Sequence, residues 1–188
     1  LSGDFRLRDE ALYPIWYTRK HKAPELLRKF AYGLVELNRA EIGKARLIAN
    51  PGCFATATAL ALGPLAKGGV SGGVSVTSIT CSSGSGATPS SITHHPTRHG
   101  NLKAYKPFTH QHIPEVEQIL ERLAGKKALR LSLVPISGPF ARGIYAVCQV
   151  DPPRGWTAER VLDLYAATYK GSSFVRLVPE APSLNAVN

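Results

Sequence analysis

The stretch Asn50-Pro51-Gly52-Cys53-Phe54-Ala55-Thr56-Ala57-Thr58 joins two predicted elements of different kinds. An apolar run ending at Ala49 is typical of a strand, the Pro-Gly pair breaks it, and the Ala- and Leu-rich residues 55–67 predict a helix. Cys53 would then lie at a strand-to-helix turn, facing free backbone N–H groups and the positive end of the helix dipole. Both stabilise a thiolate, so we expect a lowered pKa and a nucleophilic sulfur. The alternative is a small buried core cysteine, the common fate of a free thiol.

The segments around this turn predict a domain in which strands and helices mix. Strands are predicted at residues 45–49, 74–80, 129–136, 143–150 and 173–178, and residues 1–7 look like the end of another. Helices are predicted at residues 24–31, 115–123 and 157–169, in addition to the one after Cys53. A Gly/Pro turn joins strands 129–136 and 143–150, so we expect a hairpin or a neighbouring pair. Since strict β-α-β alternation is absent, the pattern favours an α+β domain over a doubly wound one.

The composition limits the class of protein to which this chain can belong. The chain has 188 residues, 23 Lys and Arg against 13 acids, a formal charge of +10, and three cysteines without a CxxC pair. The sparse cysteines favour a reducing, cytoplasmic compartment over a disulfide framework. No apolar run is long enough for a membrane helix, so we expect no membrane association. The basic residues are scattered, which favours an anionic small molecule or an acidic protein partner over nucleic acid.

Five of the six histidines lie between residues 92 and 117. In an extended segment His110 and His112 would point the same way, with Glu115 one helical turn further on. A histidine oriented by a carboxylate suits acid/base chemistry. Two alternatives remain open: polar histidines on a surface loop, or a nitrogen-rich metal site that includes His94 and His95.

Several further residues are candidates for holding an anion. Residues 81–91 are rich in Ser and Gly, which is typical of a flexible linker or of a loop whose backbone N–H groups approach a ligand. Arg98 and Arg142 are candidates for gripping a phosphate or carboxylate, and Arg6, between Phe5 and Leu7, is similar. Their alternative role is that of solvated surface charge.

With these residues in view, the chain resembles the second domain of N-acetyl-γ-glutamyl-phosphate reductases and their relatives in the semialdehyde dehydrogenase group. The matching segments run almost end to end and comprise residues 1–7, 21–27, 32–37, 49–53, 110–117, 135–144 and 174–178. The order of the Cys53 and His110–His112 motifs is the most specific part of the match. The family pattern usually has His-Arg-His where this chain has Gln111.

The resemblance implies a fold, a mechanism and a set of site residues. The fold would be a mixed or antiparallel sheet with helices packed on one face, like the C-terminal catalytic domain of glyceraldehyde-3-phosphate dehydrogenase. Cys53 would attack an acyl phosphate, and hydride from NADPH would reduce the thioester to an aldehyde, with His110, His112 and Glu115 as acid/base groups. The implied ligand contacts are substrate binding by Arg6, Asn50, Ser83, Gly84, Arg98 and Arg142, and cofactor binding by Pro51 and Gly52.

The resemblance also implies how the domain is used. The family's NADP-binding Rossmann domain has no counterpart in residues 1–188, and the chain lacks Met. We therefore expect it to be the catalytic and dimerisation part of a longer protein, inactive alone and assembled as a homodimer or homotetramer. Two other classes stay open: a metal-binding protein that uses the histidine cluster, and a non-catalytic binding or oligomerisation module with an inert Cys53.

A finer resemblance concerns the substrate. Residues 53–58, 91–100 and 105–107 resemble the branch that reduces aminoadipyl or glutamyl phosphate held on a small acidic amino-group carrier protein, in lysine or arginine synthesis. The branch acting on the free acetylated substrate has a Ser-Gly-Ala-Gly-Arg-like loop where this chain has residues 83–87. The charge of +10 would suit an acidic carrier. The expectation favours the carrier-linked substrate, with the free acetylated substrate as the alternative.

Overall fold

The computed structural model describes residues 3–86, 88, 90–91, 93–125 and 129–187. Its α-helices are α1 (Leu12–Tyr17), α2 (Val35–Ile42), α3 (Cys53–Lys67), α4 (His95–Arg98), α5 (His112–Ala124) and α6 (Ala158–Tyr169). Its strands are β1 (Ala31–Tyr32), β2 (Ile48–Ala49), β3 (Gly72–Thr80), β4 (Lys103–Ala104), β5 (Leu129–Ser137) and β6 (Ile144–Val150). Short 3₁₀ turns lie at Pro24–Lys29, Ser83–Ser85 and Leu184–Val187. None of the helices in these ranges has the length and apolar character needed to cross a membrane.

A mixed four-stranded sheet has the order β4-β5-β3-β6. β3 is parallel to β5, with Gly72 opposite Leu129, and antiparallel to β6, with Thr80 opposite Ile144. The expectation that β5 and β6 form a hairpin or a neighbouring pair is therefore wrong. β3 lies between them, and the turn after β5 crosses its end, where the N–H of Gly138 bonds the carbonyl of Thr80 at 2.9 Å.

One face of this sheet carries the core. Along β3, Val74 and Val76 are buried while Ser75 and Thr77 on the opposite face are exposed, as alternation in a half-buried strand requires. Helices α3 and α5 cover the buried face, where Leu62 and Leu120 are fully buried. The predicted α+β class, with helices packed on one face of a mixed sheet, is confirmed.

A small parallel pair, β1 and β2, leads into the Cys53 turn. Tyr32 lies opposite Ala49 in its register, so the end of β1 lies beside the segment that connects β2 to α3. The predicted strand 45–49 is reduced to its last two residues, and α3 begins at Cys53, two residues earlier than predicted.

Three of the elements predicted from the sequence differ in the structure. Residues 173–178 form no strand, because none of the strands in the described ranges pairs with them, and Phe174 is 94% exposed. Residues 3–7 also form no strand, while residues 1 and 2 lie outside the described ranges. The predicted helix at 24–31 is a 3₁₀ helix that gives way to β1. By contrast, Thr157 caps α6 as predicted, its Oγ1 accepting from the N–H of Arg160 at 3.2 Å.

Candidate active site

Cys53 opens into a pocket of about 250 Å³ that gathers residues distant in sequence. Six of the predicted site residues line it, namely Arg6, Gly52, Cys53, Gly84, His110 and His112. A larger concavity of about 950 Å³ lies along Arg8, Glu25 and Arg28, but it is lined by no cysteine or histidine. We therefore place the candidate site at Cys53.

The thiol of Cys53 is exposed, which excludes the buried core cysteine as an alternative. The pKa of this thiol is raised, because the pocket walls desolvate it, although the N–H groups of Phe54 and Cys53 and the charge of Arg6 act in the opposite direction. The expectation of a lowered pKa is therefore wrong. The helix start supplies the predicted stabilisation, but partial desolvation of the sulfur by the pocket walls outweighs it.

Arg6 links the loop before α1 to the Cys53 turn. Its Nε donates to the carbonyl of Asn50 at 2.8 Å, and one terminal nitrogen lies 3.5 Å from Nε2 of His112. Gln118 of α5 holds the loop on both sides, accepting from the N–H of Arg8 at 2.7 Å and donating to the carbonyl of Arg6 at 3.1 Å. Arg6 thus presents a positive charge at the pocket while fixing the backbone at Asn50.

Glu115 is fully buried behind the turn. Its Oε1 accepts from the N–H of Gly52 and from the hydroxyl of Tyr32, each at 2.8 Å. Its Oε2 lies 3.7 Å from Arg6 and 3.9 Å from Nε2 of His112, with no hydrogen bond. Burial raises the pKa of this carboxyl against the opposing effects of Gly52, Arg6 and Tyr32. The carboxyl therefore holds the turn and does not reach the pocket.

His110 and His112 occupy different positions, although both are buried. Nδ1 of His110 accepts the N–H of His112 at 3.2 Å, so its proton is carried by Nε2, the nitrogen left for a ligand. Nε2 of His112 faces Arg6 and the Gly52 turn, and its Nδ1 is buried without a partner among the described residues. Burial lowers the pKa of His110 to about 4 and that of His112 to about 3, so both rings are neutral near pH 7.

The remaining anion-binding candidates lie on or beyond the rim of the pocket. Arg98 is buried and does not line the pocket; it donates to the carbonyl of Thr80 at 2.8 Å and to Oγ of Ser85 at 3.1 Å. Arg142 is exposed and follows Ala141, whose carbonyl accepts the N–H of Ser83 at 3.1 Å. Arg98 is therefore not the solvated surface charge of the alternative interpretation; it ties the Ser/Gly loop to the end of β3.

Three more predicted residues lie beside the pocket without lining it. Ser83 is exposed and its Oγ lies 3.2 Å from Sγ of Cys81. Asn50 is exposed and contributes its carbonyl to Arg6, while Pro51 precedes the turn.

His95 and His99 lie near each other and do not line the pocket. Nδ1 of His95 lies 2.6 Å from Oγ of Ser82, and its ring contacts that of His99 at a centroid distance of 6.2 Å. Within the described residues, no three His, Cys, Asp or Glu side chains are close enough to hold a metal ion. The metal-site alternative therefore has no candidate ligand set in this part of the chain.

Sequence reasoning missed four residues that line the pocket, Phe54, Thr80, Tyr105 and Gln111, and two residues that support it from behind. Tyr105 lines the pocket with its ring 5.9 Å from that of His110, and Tyr32 and Gln118 hold Glu115 and Arg6 from behind. Phe54, Tyr105 and Gln111 had a local signal, because Phe54 follows Cys53, Gln111 lies between the two histidines and Tyr105 closely precedes them. The contacts of Tyr32 and Gln118 span 83 and 112 residues, which no local pattern reports.

An exposed thiol that shares a pocket with a neutral histidine and an arginine defines a site suited to covalent catalysis through sulfur. A family model described as "Semialdehyde dehydrogenase, dimerisation domain" matches residues 53–188, and the chain belongs to this family.

The curated relatives agree with this membership and confirm the resemblance. N-acetyl-gamma-glutamyl-phosphate reductase of Bacillus cereus (strain B4264) is 41% identical over 182 residues, covering 94% of this chain and 52% of the relative. The Bacillus mycoides (strain KBAB4) protein of the same name is 43% identical with the same coverage. That of Thermus thermophilus is 41% identical over 197 residues, covering 99% of this chain and 56% of the relative. The chain thus spans about half the length of the curated relatives it matches.

A solved structure shows the same fold. Aspartate semialdehyde dehydrogenase II from Vibrio cholerae matches with a TM-score of 0.59 and 16% identity, over 77% of this chain and 50% of that one. The same enzyme in complex with ASA matches equally well.

Proposed function

We propose that this chain is the catalytic domain of an acyl-phosphate reductase, an oxidoreductase of amino-acid biosynthesis in which Cys53 forms a thioester. The observation that carries the proposal is the single pocket shared by Cys53, His110 and Arg6. The names of the relatives support N-acetyl-γ-glutamyl phosphate, an intermediate of arginine synthesis, as the substrate. We place the protein in the cytoplasm.

The acyl transfer follows from the chemistry of these residues. Sγ of Cys53 forms a bond to the acyl carbon, the bond from that carbon to the phosphate oxygen breaks, and phosphate leaves. Because Nε2 of His110 already carries its proton, His110 donates a hydrogen bond to the acyl oxygen, and the departing phosphate takes the thiol proton. Arg6 stabilises the negative charge that gathers at the pocket.

The pocket at Cys53 is too small to hold a whole dinucleotide. The pocket of about 250 Å³ is below the usual range of ligand sites, roughly 300–1,000 Å³. The N–H of Gly52 already donates to Glu115, and the Cα of Gly52 lies against the ring of His112. The Pro51–Gly52 turn therefore offers no free backbone N–H group to a phosphate of the cofactor. We propose that NADPH, which would supply the hydride that reduces the thioester, is held by a separate Rossmann domain of the longer protein.

A second candidate substrate is the acyl phosphate linked to a small acidic carrier protein, in lysine or arginine synthesis. One observation favours it: residues 42–114, which supply most of the pocket, contain no Asp or Glu and six Lys and Arg. Lys103 and Lys106, on the segment leading to the pocket residue Tyr105 and then His110, are exposed. This segment would present Lys103 and Lys106 to an acidic partner and carries no carboxylate of its own.

The family's description as a dimerisation domain supports a homodimer, or a homotetramer built from two such dimers. The sheet face opposite α3 and α5 is open, with Ser75, Thr77 and Val147 exposed, and it is the surface on which a second copy would pack. Sedimentation of the full-length protein at several concentrations gives the assembly size, and a monomer throughout would refute this part of the proposal.

The test uses the full-length protein in the aldehyde-oxidising direction, with NADP and phosphate. We expect the wild type to oxidise N-acetylglutamate semialdehyde. Cys53→Ser should abolish this activity, whereas Cys148→Ser, at a half-buried position on β6, should leave it unchanged. Activity only with the carrier-bound aldehyde would select the second substrate. A Cys53→Ser variant that retains full activity on either aldehyde would refute Cys53 as the nucleophile. A wild-type protein that oxidises neither aldehyde would refute the reductase and favour the non-catalytic module.

A further inference from the structure

The hydroxyl of Tyr32 is a buried donor that no part of the acyl-transfer scheme uses. Its ring is 4% exposed and its oxygen lies 2.8 Å from Oε1 of Glu115. The same Oε1 accepts the N–H of Gly52 at 2.8 Å, and Gly52 directly precedes Cys53. The phenol and the turn are therefore joined through one carboxylate oxygen.

The position of this carboxylate depends on Tyr32. Arg6 and His112 lie 3.7 and 3.9 Å from Oε2, beyond hydrogen-bond distance, so Tyr32 is the side-chain donor to Glu115 among the described residues. A buried carboxyl with a lost donor shifts or stays unsatisfied. Without the phenol, Oε1 of Glu115 keeps only its hydrogen bond from the N–H of Gly52. The carboxylate and the Gly52 amide can then shift together.

Tyr32 is itself held in place from two sides. Its carbonyl accepts from Nδ2 of Asn38 at 2.7 Å, and its pairing opposite Ala49 ties β1 to the strand that ends just before the turn. Asn38 is buried and leaves the helical conformation within α2, with φ of −142° and ψ of 23°. The phenol thus projects from a rigid support toward a carboxyl on α5.

We propose that Tyr32 is a positioning residue for Cys53, acting through Glu115 to hold the Gly52 amide and hence the first turn of α3. The N–H groups of Cys53 and Phe54 in this turn stabilise the thiolate, so a turn held in register favours the reactive form. The inference rests on the proposed role of Cys53 as the nucleophile.

The test compares two tyrosine variants of the full-length protein. Tyr32→Phe removes the hydroxyl and keeps the ring. Tyr169→Phe is the matched control, because Tyr169 is also buried and its hydroxyl donates to the carbonyl of Leu60, within α3 but away from its first turn. The alkylation rate of Cys53 by iodoacetamide is followed against pH by mass spectrometry of the peptide that contains it.

For Tyr32→Phe we expect the alkylation midpoint to move to higher pH and the rate below it to fall about two- to tenfold, as the loss of one buried hydrogen bond predicts. Hydrogen exchange of the Gly52 amide accelerates in the same variant. In turnover, kcat falls while KM stays within about twofold of the wild-type value. Tyr169→Phe changes none of these.

An alkylation profile of Tyr32→Phe that coincides with that of the wild type would overturn the inference, as would an equal shift in Tyr169→Phe. Alkylation requires no substrate, so either result stands apart from the reductase proposal. That proposal fails if the wild-type protein oxidises neither aldehyde, and its assignment of Cys53 as the nucleophile fails if Cys53→Ser retains activity.

Discussion

The ring of His112 occupies the space beside Gly52 that any side chain at residue 52 would need. An ideal Cβ on Gly52 would lie 2.1 Å from Nε2 of His112 and 2.5 Å from its Cε1. The φ of Gly52 is −72°, so backbone strain plays no part and the close approach alone demands glycine. The turn before Cys53 and the start of α5 therefore pack directly against each other at Gly52 and His112.

Gly52→Ala is expected to lower the free energy of unfolding by about 1–3 kcal/mol, the usual effect of an extra methyl group in a packed site. Urea denaturation measures this. Gly73→Ala is the control, because a Cβ there meets nothing within 4 Å. Adding His112→Ala to Gly52→Ala should restore much of the lost stability; an unaltered midpoint in the single variant would contradict the contact.

Arg6→Gln is expected to raise the pKa of Cys53 further, because a neighbouring positive charge that favours the thiolate is lost. The glutamine amide retains a donor for the carbonyl of Asn50. Alkylation of Cys53 against pH gives the midpoint, with Arg130→Gln on the exposed face of β5 as the control. A midpoint that falls or stays unchanged would show that Arg6 does not act on the thiol.

Acidification from pH 7 toward 4 is expected to destabilise the domain through its buried histidines. The pKa values of His110 and His112 are about 4 and about 3 when folded, against roughly 6.5 unfolded, so the unfolded chain binds more protons in this window. As the pH falls, each histidine then lowers the free energy of unfolding by up to about 1.4 kcal/mol per pH unit. Its contribution to stability is fully lost only below its folded pKa. Glu115, whose pKa is raised in the folded state, opposes this trend as the pH falls toward 4.5.

The contribution of one histidine is isolated by comparing the wild type with His110→Gln in urea denaturation between pH 7 and 4. The variant should lose less stability on acidification, and His99→Gln, at an exposed position, should follow the wild type. Parallel curves for all three proteins would mean that His110 is not held neutral.

Arg98→Lys is expected to loosen the Ser/Gly loop, because lysine lacks the planar fork that contacts Thr80 and Ser85 together. Stability should fall by about 1–3 kcal/mol, and residues 81–86 should exchange amide hydrogens faster. Arg142→Lys, at an exposed position, should change neither. A higher KM with unaltered stability would instead indicate that Arg98 grips the substrate, as the sequence-based hypothesis holds.

Much of the fold was predictable because its elements carry local patterns. The alternation along β3 and the apolar residues of α3 and α5 predicted elements that the structure confirms to within a few residues. The pairing of β5 with β3 was not predictable, since a parallel partner depends on the path of the intervening chain. Residues 173–178 had the composition of a strand but no partner, so the pattern alone misled.

The residues of the candidate site also include some that local patterns predicted and others that only the fold brings together. Cys53 and His110, which share the pocket, were predicted from the turn and the histidine motif, because the chemistry that a side chain can offer is set by residue type. The direction of the Cys53 pKa shift was wrong, since desolvation depends on how many atoms the fold places around the sulfur.

The sequence by itself determined the elements of this protein and the chemical groups they carry, because hydrophobic periodicity, turn residues and side-chain chemistry act over a few residues. Only the tertiary structure decided which groups meet. Arg6, Tyr32 and Glu115 converge on Gly52 from 46, 20 and 63 residues away, and contacts of that range follow from the packing of β1, α3 and α5. Burial then lowers the pKa of His110 and His112, and the pocket walls raise that of Cys53, because desolvation exists only once the chain has folded around these groups.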